Sequence, residues 1–239
     1  MSARAISRAP TSRHSRAIAA HRLQSPRSMA KLREAFPGAR RYLPTLHTIP
    51  SLQRAVTGCR GCPLYRFATH GVLGEGPATA RAVFIGEVPG DIEDRKGRPF
   101  VGPAGHLLDE AFEHAGIKRD TVYLTNAVKH FKFTKRGKRR IHDKPTRYEV
   151  DACKPWLGAE LEVVEPEIVV VLGATAAQAL LGPSFRVTKS RGQFFASDLA
   201  PKTFATVHPA AVLRAPHDAR AFARETFFAD IDQVGEQLR

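Results

Sequence analysis

The apolar positions of this chain fall into four short runs separated by longer amphipathic stretches. Residues 81–86 end in a glycine, residues 121–128 are rich in β-branched and aromatic side chains, 168–173 form an unbroken aliphatic run, and 203–207 lead directly into His208. Runs without polar alternation mark strands covered on both faces of a sheet. The stretches between and after them predict helices over 105–115, 148–164, 174–181 (closed by Gly182-Pro183) and 219–238. Strands separated by helices imply right-handed crossovers and a four-stranded parallel sheet with helices on both faces. Ligands of such sheets sit outside the carboxyl ends of the strands. Gly86, Asn126, Gly173 and His208 all fall at those ends.

Length and charge refine this picture. The 239 residues suit one α/β domain of about 190 residues plus an extension, and we place the boundary so that 1–45 is a basic, disordered extension and 46–239 the folded domain. The net charge of +14 points to a polyanionic partner. Part of that excess lies in the tail, where Arg4, Arg8, Arg13, Arg16, Arg22 and Arg27 stand without one acidic residue up to Ser28. This composition suits a transit peptide, a nucleic-acid-binding arm, or a dispensable extension ahead of Met29. Three cysteines are too few, and odd in number, for a disulfide framework, so a reducing compartment is expected. No apolar run approaches the roughly 20 residues needed to span a bilayer. The expectation is a soluble monomer in a bacterial-type cytoplasm, nucleoid-associated when acting.

Three segments carry candidate chemistry. Gly86-Glu87-Val88-Pro89-Gly90 and His208-Pro209-Ala210-Ala211-Val212-Leu213-Arg214 each follow a predicted strand, and the basic loop Lys138-Arg139-Arg140-Ile141-His142 lies between Asn126 and Cys153. Brought to one sheet edge, they place a carboxylate, a guanidinium cluster and two imidazoles around one pocket. Such a pocket suits an anionic substrate whose reaction passes through a cation. A second feature is Cys59-Arg60-Gly61-Cys62, whose short loop lets two thiolates face one metal. Cys153 supplies a third ligand and His130 is the best candidate for the fourth. Zinc accepts three cysteines and a histidine, and iron–sulfur clusters tolerate a histidine in place of a thiolate. Spacing does not choose between them.

Read together, these segments resemble a known family. Cys59-x-x-Cys62, Gly86-Glu87-x-Pro89-Gly90, Arg98-Pro99-Phe100-Val101-Gly102-Pro103-Ala104-Gly105, Thr125-Asn126-Ala127-Val128-Lys129-His130-Phe131 and Cys153-x-Pro155-Trp156 look like the iron–sulfur uracil-DNA glycosylases. The Lys138–His142 insertion, with His130 where relatives carry a cysteine, is similar to the UdgX branch. The resemblance runs in collinear order from about Cys59 to Leu213. It implies a three-layer α/β/α sandwich and a [4Fe-4S] cluster on Cys59, Cys62, His130 and Cys153, with zinc as the alternative. It also implies excision of uracil from DNA, single strands included, and, for the UdgX branch, a covalent protein–DNA adduct through His142.

The chemistry of these residues agrees with that implication. A base must leave the stack before its glycosidic bond is cut, so the pocket needs a stacking face and partners for the base edge. Phe100 offers the face, Asn126 both an amide donor and an acceptor, and Gly86 and Val88 complete the expected uracil-binding set. Glu87 can stabilise an oxocarbenium-like sugar, as carboxylates do in glycoside hydrolysis, while His208 can donate to the departing uracil anion. Lys138, Arg139, Arg140 and Arg214 are the expected DNA contacts. Two departures stand out: Val88 occupies a position where UdgX proteins carry Gln, and Ala210 and Ala211 replace two serines. A hydrolytic, multiple-turnover glycosylase and a non-catalytic damaged-DNA-binding module are the alternative readings.

Overall fold

The computed structural model describes residues 34–239, and Gly38–Arg239 form one compact unit. Most of the basic extension expected over 1–45 lies outside the described residues, but Ala39–Tyr42 form a short 3-10 helix packed on the long helix after the basic loop. The central sheet has strands β1 (Ala82–Gly86), β2 (Tyr123–Asn126), β5 (Ile168–Leu172), β6 (Phe194–Ser197) and β7 (Ala200–Thr206), in the order β2-β1-β5-β7-β6. The four expected strands are parallel to their neighbours. The sheet gains a fifth strand, β6, antiparallel on the edge. Its partly exposed Phe194 and Phe195 do not form the fully covered run that marks the other strands.

The apolar runs are unbroken because both faces are buried. Phe84, Leu124, Val170 and Phe204 pack into a core with helix α3 (Pro103–Ala115) and helix α8 (His217–Leu238) through Leu108, Phe112, Phe227 and Ile231. Val83, Ile85, Tyr123, Val169 and Val171 face the opposite layer, where α4 (Arg147–Val164) and α5 (Ala174–Leu181) contribute Leu157, Ala176 and Ala177. Alternate residues of one strand thus serve two cores, as the period of two requires. Helix α4 begins with a capping box in which Thr146 and Glu149 satisfy each other's backbone donors. Among the described residues, no helix is long and apolar enough to cross a membrane.

Several elements are missing from the sequence-derived outline. Helix α1 (Ile49–Val56) is short and capped by Thr48 and Ser51, helix α2 (Asp91–Lys96) is a highly charged six-residue turn, and α6 (Val187–Ser190) and α7 (Pro209–Leu213) are shorter still. The larger correction concerns the basic loop. Arg139–His142 is strand β4, paired antiparallel with β3 (Phe133–Arg136) so that His142 stands opposite Phe133. Gly137, at φ 58°, makes the turn between them.

Between the sheet and α4 lies a buried ion pair. Lys129 and Glu160 have no solvent-exposed side-chain surface, and the ammonium bonds the carboxylate, Thr125 Oγ1 at 2.7 Å and the Asn126 carbonyl at 2.7 Å. Glu160 also accepts from the Gly74 amide at 2.7 Å, Tyr123 hydroxyl at 3.1 Å and Thr125 hydroxyl at 3.0 Å. Removing one partner leaves the other charge buried and uncompensated, at a cost of about 3–5 kcal/mol, whereas replacing both with apolar residues is often near neutral. Lys129→Met is therefore expected to lower unfolding free energy by about 3–5 kcal/mol, and adding Glu160→Gln, which removes the charge but keeps an acceptor for Gly74, Tyr123 and Thr125, to recover most of it. Denaturant titration of the two variants checks this; equal losses in both would remove the ion pair as the cause.

Candidate active site

The strand order reverses between β1 and β5, since the chain passes from β1 to β2 on one side and later returns to β5 on the other. The crevice at such a switch point is where parallel sheets bind ligands. Here it opens into a cleft of about 450 Å³ whose lining includes Glu87, Phe100, Asn126, His142, His208 and Arg214. Five different segments therefore deliver the side chains that the sequence singled out. Val88 lines the same cleft, while Gly86 lies just beneath it. A Cβ on Gly86 would sit 2.4 Å from Asn126 Oδ1 and 2.9 Å from Phe100 Cζ, so the missing side chain is what lets the two approach.

Glu87 leaves the end of β1 and bonds the side chain of Thr175 at the start of α5, across the switch point. Its Oε1 is buried without any hydrogen-bond partner among the described residues. Buried carboxylate oxygens are nearly always satisfied, so an orphan facing a cleft marks a place for an incoming group. Burial raises the Glu87 pKa; the Thr175 bond and the positive charges of Lys144 and Arg214 oppose that rise. The carboxylate is thus poorly solvated and drawn to a cation that enters the cleft.

Phe100 is 5% exposed and has a φ of 53°. A bulky residue rarely adopts this left-handed backbone, and strain of this kind costs on the order of 1–3 kcal/mol. Its ring lies nearly parallel to the His208 imidazole, with centroids 6.3 Å apart. His208 caps α7, its Nδ1 accepting the Ala210 amide at 3.1 Å. That bond assigns the neutral ring's proton to Nε2, the nitrogen left free to donate. Burial, followed by the charges of Arg214 and His142, lowers the His208 pKa to about 4. His142 is also pushed below the ordinary histidine value, chiefly by burial and then by Arg214. Both shifts favour the neutral ring, most strongly at His208; His142 is the more exposed of the two.

The basic hairpin divides its cations between two roles. Arg140, expected among the DNA contacts, is turned inward. It bonds Asp91, reaches Asp94 at 2.6 Å, and lies over the rings of Phe131 and Phe133 at 5.3 and 5.0 Å. Its donors are occupied within the protein, so it ties β4, and with it His142, to α2 rather than offering a free phosphate clamp. Lys138 and Arg139 remain exposed at the hairpin tip, and Arg214 is exposed at the rim of the cleft. Asp91, Asp94 and Thr175 were not anticipated. The aspartates follow directly on the Gly-Glu-x-Pro-Gly segment, but their partner is 46 or more residues away, and nothing local announces it.

Cys59, Cys62 and Cys153 are brought into one buried cluster packed by Val128, Val150 and Trp156. Two N–H groups point at sulfur: Trp156 Nε1 donates to Cys59 Sγ and the Lys129 amide to Cys153 Sγ, both at 3.2 Å. Burial drives the Cys62 thiol up to about 12 and raises Cys153 further, with the neighbouring cysteines adding to both shifts. His130 is buried next in sequence to Lys129, with burial lowering its pKa to about 4, so its ring is a neutral donor. Among the described residues, no three such side chains are gathered closely enough to hold a metal ion as they stand. The donor chemistry nonetheless fits a metal cluster: soft, buried sulfurs already accepting N–H bonds of the kind that tune iron–sulfur centres.

Comparison with known proteins agrees with this geometry. Residues 73–232 match the family model described as the uracil DNA glycosylase superfamily. A type-4 uracil-DNA glycosylase of Thermotoga maritima is 41% identical over 160 residues, covering 66% of this chain and 80% of the relative. Others from Sulfurisphaera tokodaii and Archaeoglobus fulgidus are 36% identical over 180 residues and 34% identical over 198, covering 72% and 80% of this chain and 79% and 94% of those relatives. With the family model matched over residues 73–232 and relatives 34–41% identical, the chain belongs to the uracil-DNA glycosylase superfamily.

Proposed function

We propose that this protein excises uracil from DNA, single strands included, and that the sugar cation left behind is captured by His142. The observation that carries this reading is the orphaned Glu87 oxygen in a cleft shared with two neutral imidazoles. The flipped base stacks on Phe100, and the Asn126 amide, held by its close approach to Gly86, reads the uracil edge. As the N1–C1′ bond breaks, the Glu87 carboxylate stabilises positive charge on the sugar. The Nε2–H of His208 donates to the developing uracil anion, which is easier for a base already stacked beside it. A neutral His142 nitrogen then bonds C1′ and later releases its ring proton. The exposed Lys138, Arg139 and Arg214 bind flanking phosphates. Support comes from the type-4 relatives for base excision and from the placement of His142 for capture.

Water can capture the same cation and would yield an abasic site with turnover. Apolar Val88 in the cleft favours this second reading, since it offers no polar contact where UdgX proteins have an amide. A non-catalytic binding role leaves the poorly solvated Glu87 carboxylate without a purpose. For the cysteine cluster we propose a [4Fe-4S] group held by Cys59, Cys62, His130 and Cys153. Three buried thiols, of which Cys59 and Cys153 already accept N–H bonds, together with the type-4 relatives, favour this group over a zinc ion. Such a group serves here as a structural tie between the segments before β1 and helix α4.

A denaturing gel of wild type and His142→Ala with a labelled, single-uracil oligonucleotide separates the readings. A detergent-stable shifted band in wild type only is expected; alkali-cleavable product from both proteins, without a shift, would mean water attack. Glu87→Gln is expected to slow base excision about 100-fold or more. In wild type the rate should rise with pH through a limb above 4.5, the ordinary carboxyl value from which Glu87 is raised. No limb is expected at the ordinary histidine value of 6.5, because both histidines are shifted below it. An acid limb near 6.5 that survives in Glu87→Gln would sink this assignment. The purified protein should be brown with stoichiometric iron, and Cys153→Ser should lose both; colourless protein with one zinc would overturn the cluster.

A further inference from the structure

Phe100 is held in a backbone conformation that phenylalanine avoids, and the group that holds it is Arg119. The guanidinium sits in the turn before β2 and is used from two sides. Nη1 bonds Asp109 of α3, while Nη2 donates to the Phe100 carbonyl at 3.1 Å and the Pro99 carbonyl at 3.3 Å. Gly105 lets α3 approach the same peptide closely, for a Cβ there would meet the Phe100 carbonyl oxygen at 1.9 Å. Neither Arg119 nor Asp109 lines the cleft.

We propose that Arg119, anchored by Asp109, is a positioning residue for substrate recognition: it locks the Phe100 carbonyl and so aims the Phe100 ring at the flipped base. This rests on Phe100 being the stacking face for uracil. A strained residue relaxes unless its surroundings over-determine it. Here the planar fork of arginine is what does so, because one group must bond a carboxylate and two carbonyls in fixed directions. Lysine keeps the charge beside Asp109 but cannot reproduce both arms of the fork. When the carbonyl is released, the backbone of Phe100 moves toward an ordinary conformation, and the ring turns away from His208 and Gly86. The bond-breaking groups Glu87 and His208 lie on other segments and keep their places, so binding of the base suffers more than the chemical step.

The test is single-turnover excision from a uracil oligonucleotide, titrated with the intact, metal-loaded protein, together with inhibition by free uracil. Arg119→Met and Arg119→Lys are each compared in the wild-type and the Phe100→Ala backgrounds, with melting temperatures measured alongside. In the wild-type background both variants should raise the half-saturating protein concentration about tenfold, the order of one lost base–aromatic stack. Free-uracil inhibition should weaken by a similar factor, while the maximal rate falls less than threefold. In the Phe100→Ala background the same substitutions should add nothing, since Arg119 then has no ring to aim. Arg119→Lys should melt closer to wild type than Arg119→Met yet bind uracil no better, which separates aiming from stability. Equal losses in both backgrounds, or full uracil binding in Arg119→Lys, would overturn the inference. If Phe100→Ala alone leaves uracil binding unchanged, the stacking reading beneath it fails instead, and the inference falls with it.

Discussion

The buried Lys129–Glu160 pair is the junction on which the rest of this structure depends. Lys129 follows β2 by three residues, and its two nitrogens look in opposite directions. The main-chain N–H bonds Cys153 Sγ, while the ammonium bonds the carbonyl of Asn126. One residue thus connects the cysteine cluster to Asn126 in the lining of the cleft. Glu160 joins the same junction to α4 and to the Gly74 backbone ahead of β1. Charges fully removed from water are tolerated only when every donor and acceptor is met, and here the carboxylate has four partners. The pair is a specifying device: few other packings of β2 on α4 would satisfy it.

The cleft is organised by the opposite principle. Where the junction satisfies every polar group, the cleft leaves Glu87 Oε1 bare and Phe100 strained. Both features raise the energy of the empty site, and the surrounding fold holds them in place. Glu87 is tied by Thr175 across the switch point, and Phe100 by Arg119 and Asp109. A carboxylate with one oxygen stripped of water and left without a partner favours any state in which positive charge lies beside it.

The hairpin shows how one basic stretch serves two ends. In register, Lys135 faces Arg140 and Arg136 faces Arg139, like charges directly opposite one another, which destabilises an isolated ribbon. Arg140 is neutralised from within by Asp91 and Asp94, and its guanidinium rests on two phenylalanine rings. That anchorage holds the base of the ribbon, where His142 sits, against the cleft. Cations at the tip remain free for a polyanion. The partition follows from burial: the Arg140 side chain is largely covered, whereas Lys138 and Arg139 project into solvent.

Much of this was legible in the chain. The unbroken aliphatic run 168–173 and three other strand-like segments, alternating with helical stretches, specified a parallel sheet, and the segments at their carboxyl ends held the cleft residues Glu87, Asn126 and His208. Edge strand β6 escaped notice because a half-exposed antiparallel strand carries no such run. The Lys138–His142 stretch read as a loop because three cations and a histidine in five residues hide the alternation that pairing with 133–136 imposes. The sequence by itself determined the sheet, the order of the site segments and the chemical identity of their side chains, since these follow from hydrophobic period and residue type. Only the tertiary structure decided which charges are available: that Arg140 turns inward, that His208 carries its proton on Nε2, that Glu87 keeps an unpaired oxygen and that Arg119 grips Phe100. Each of these depends on partners brought from other segments of the fold, and a hydrogen bond between distant residues leaves no mark on the local sequence of either.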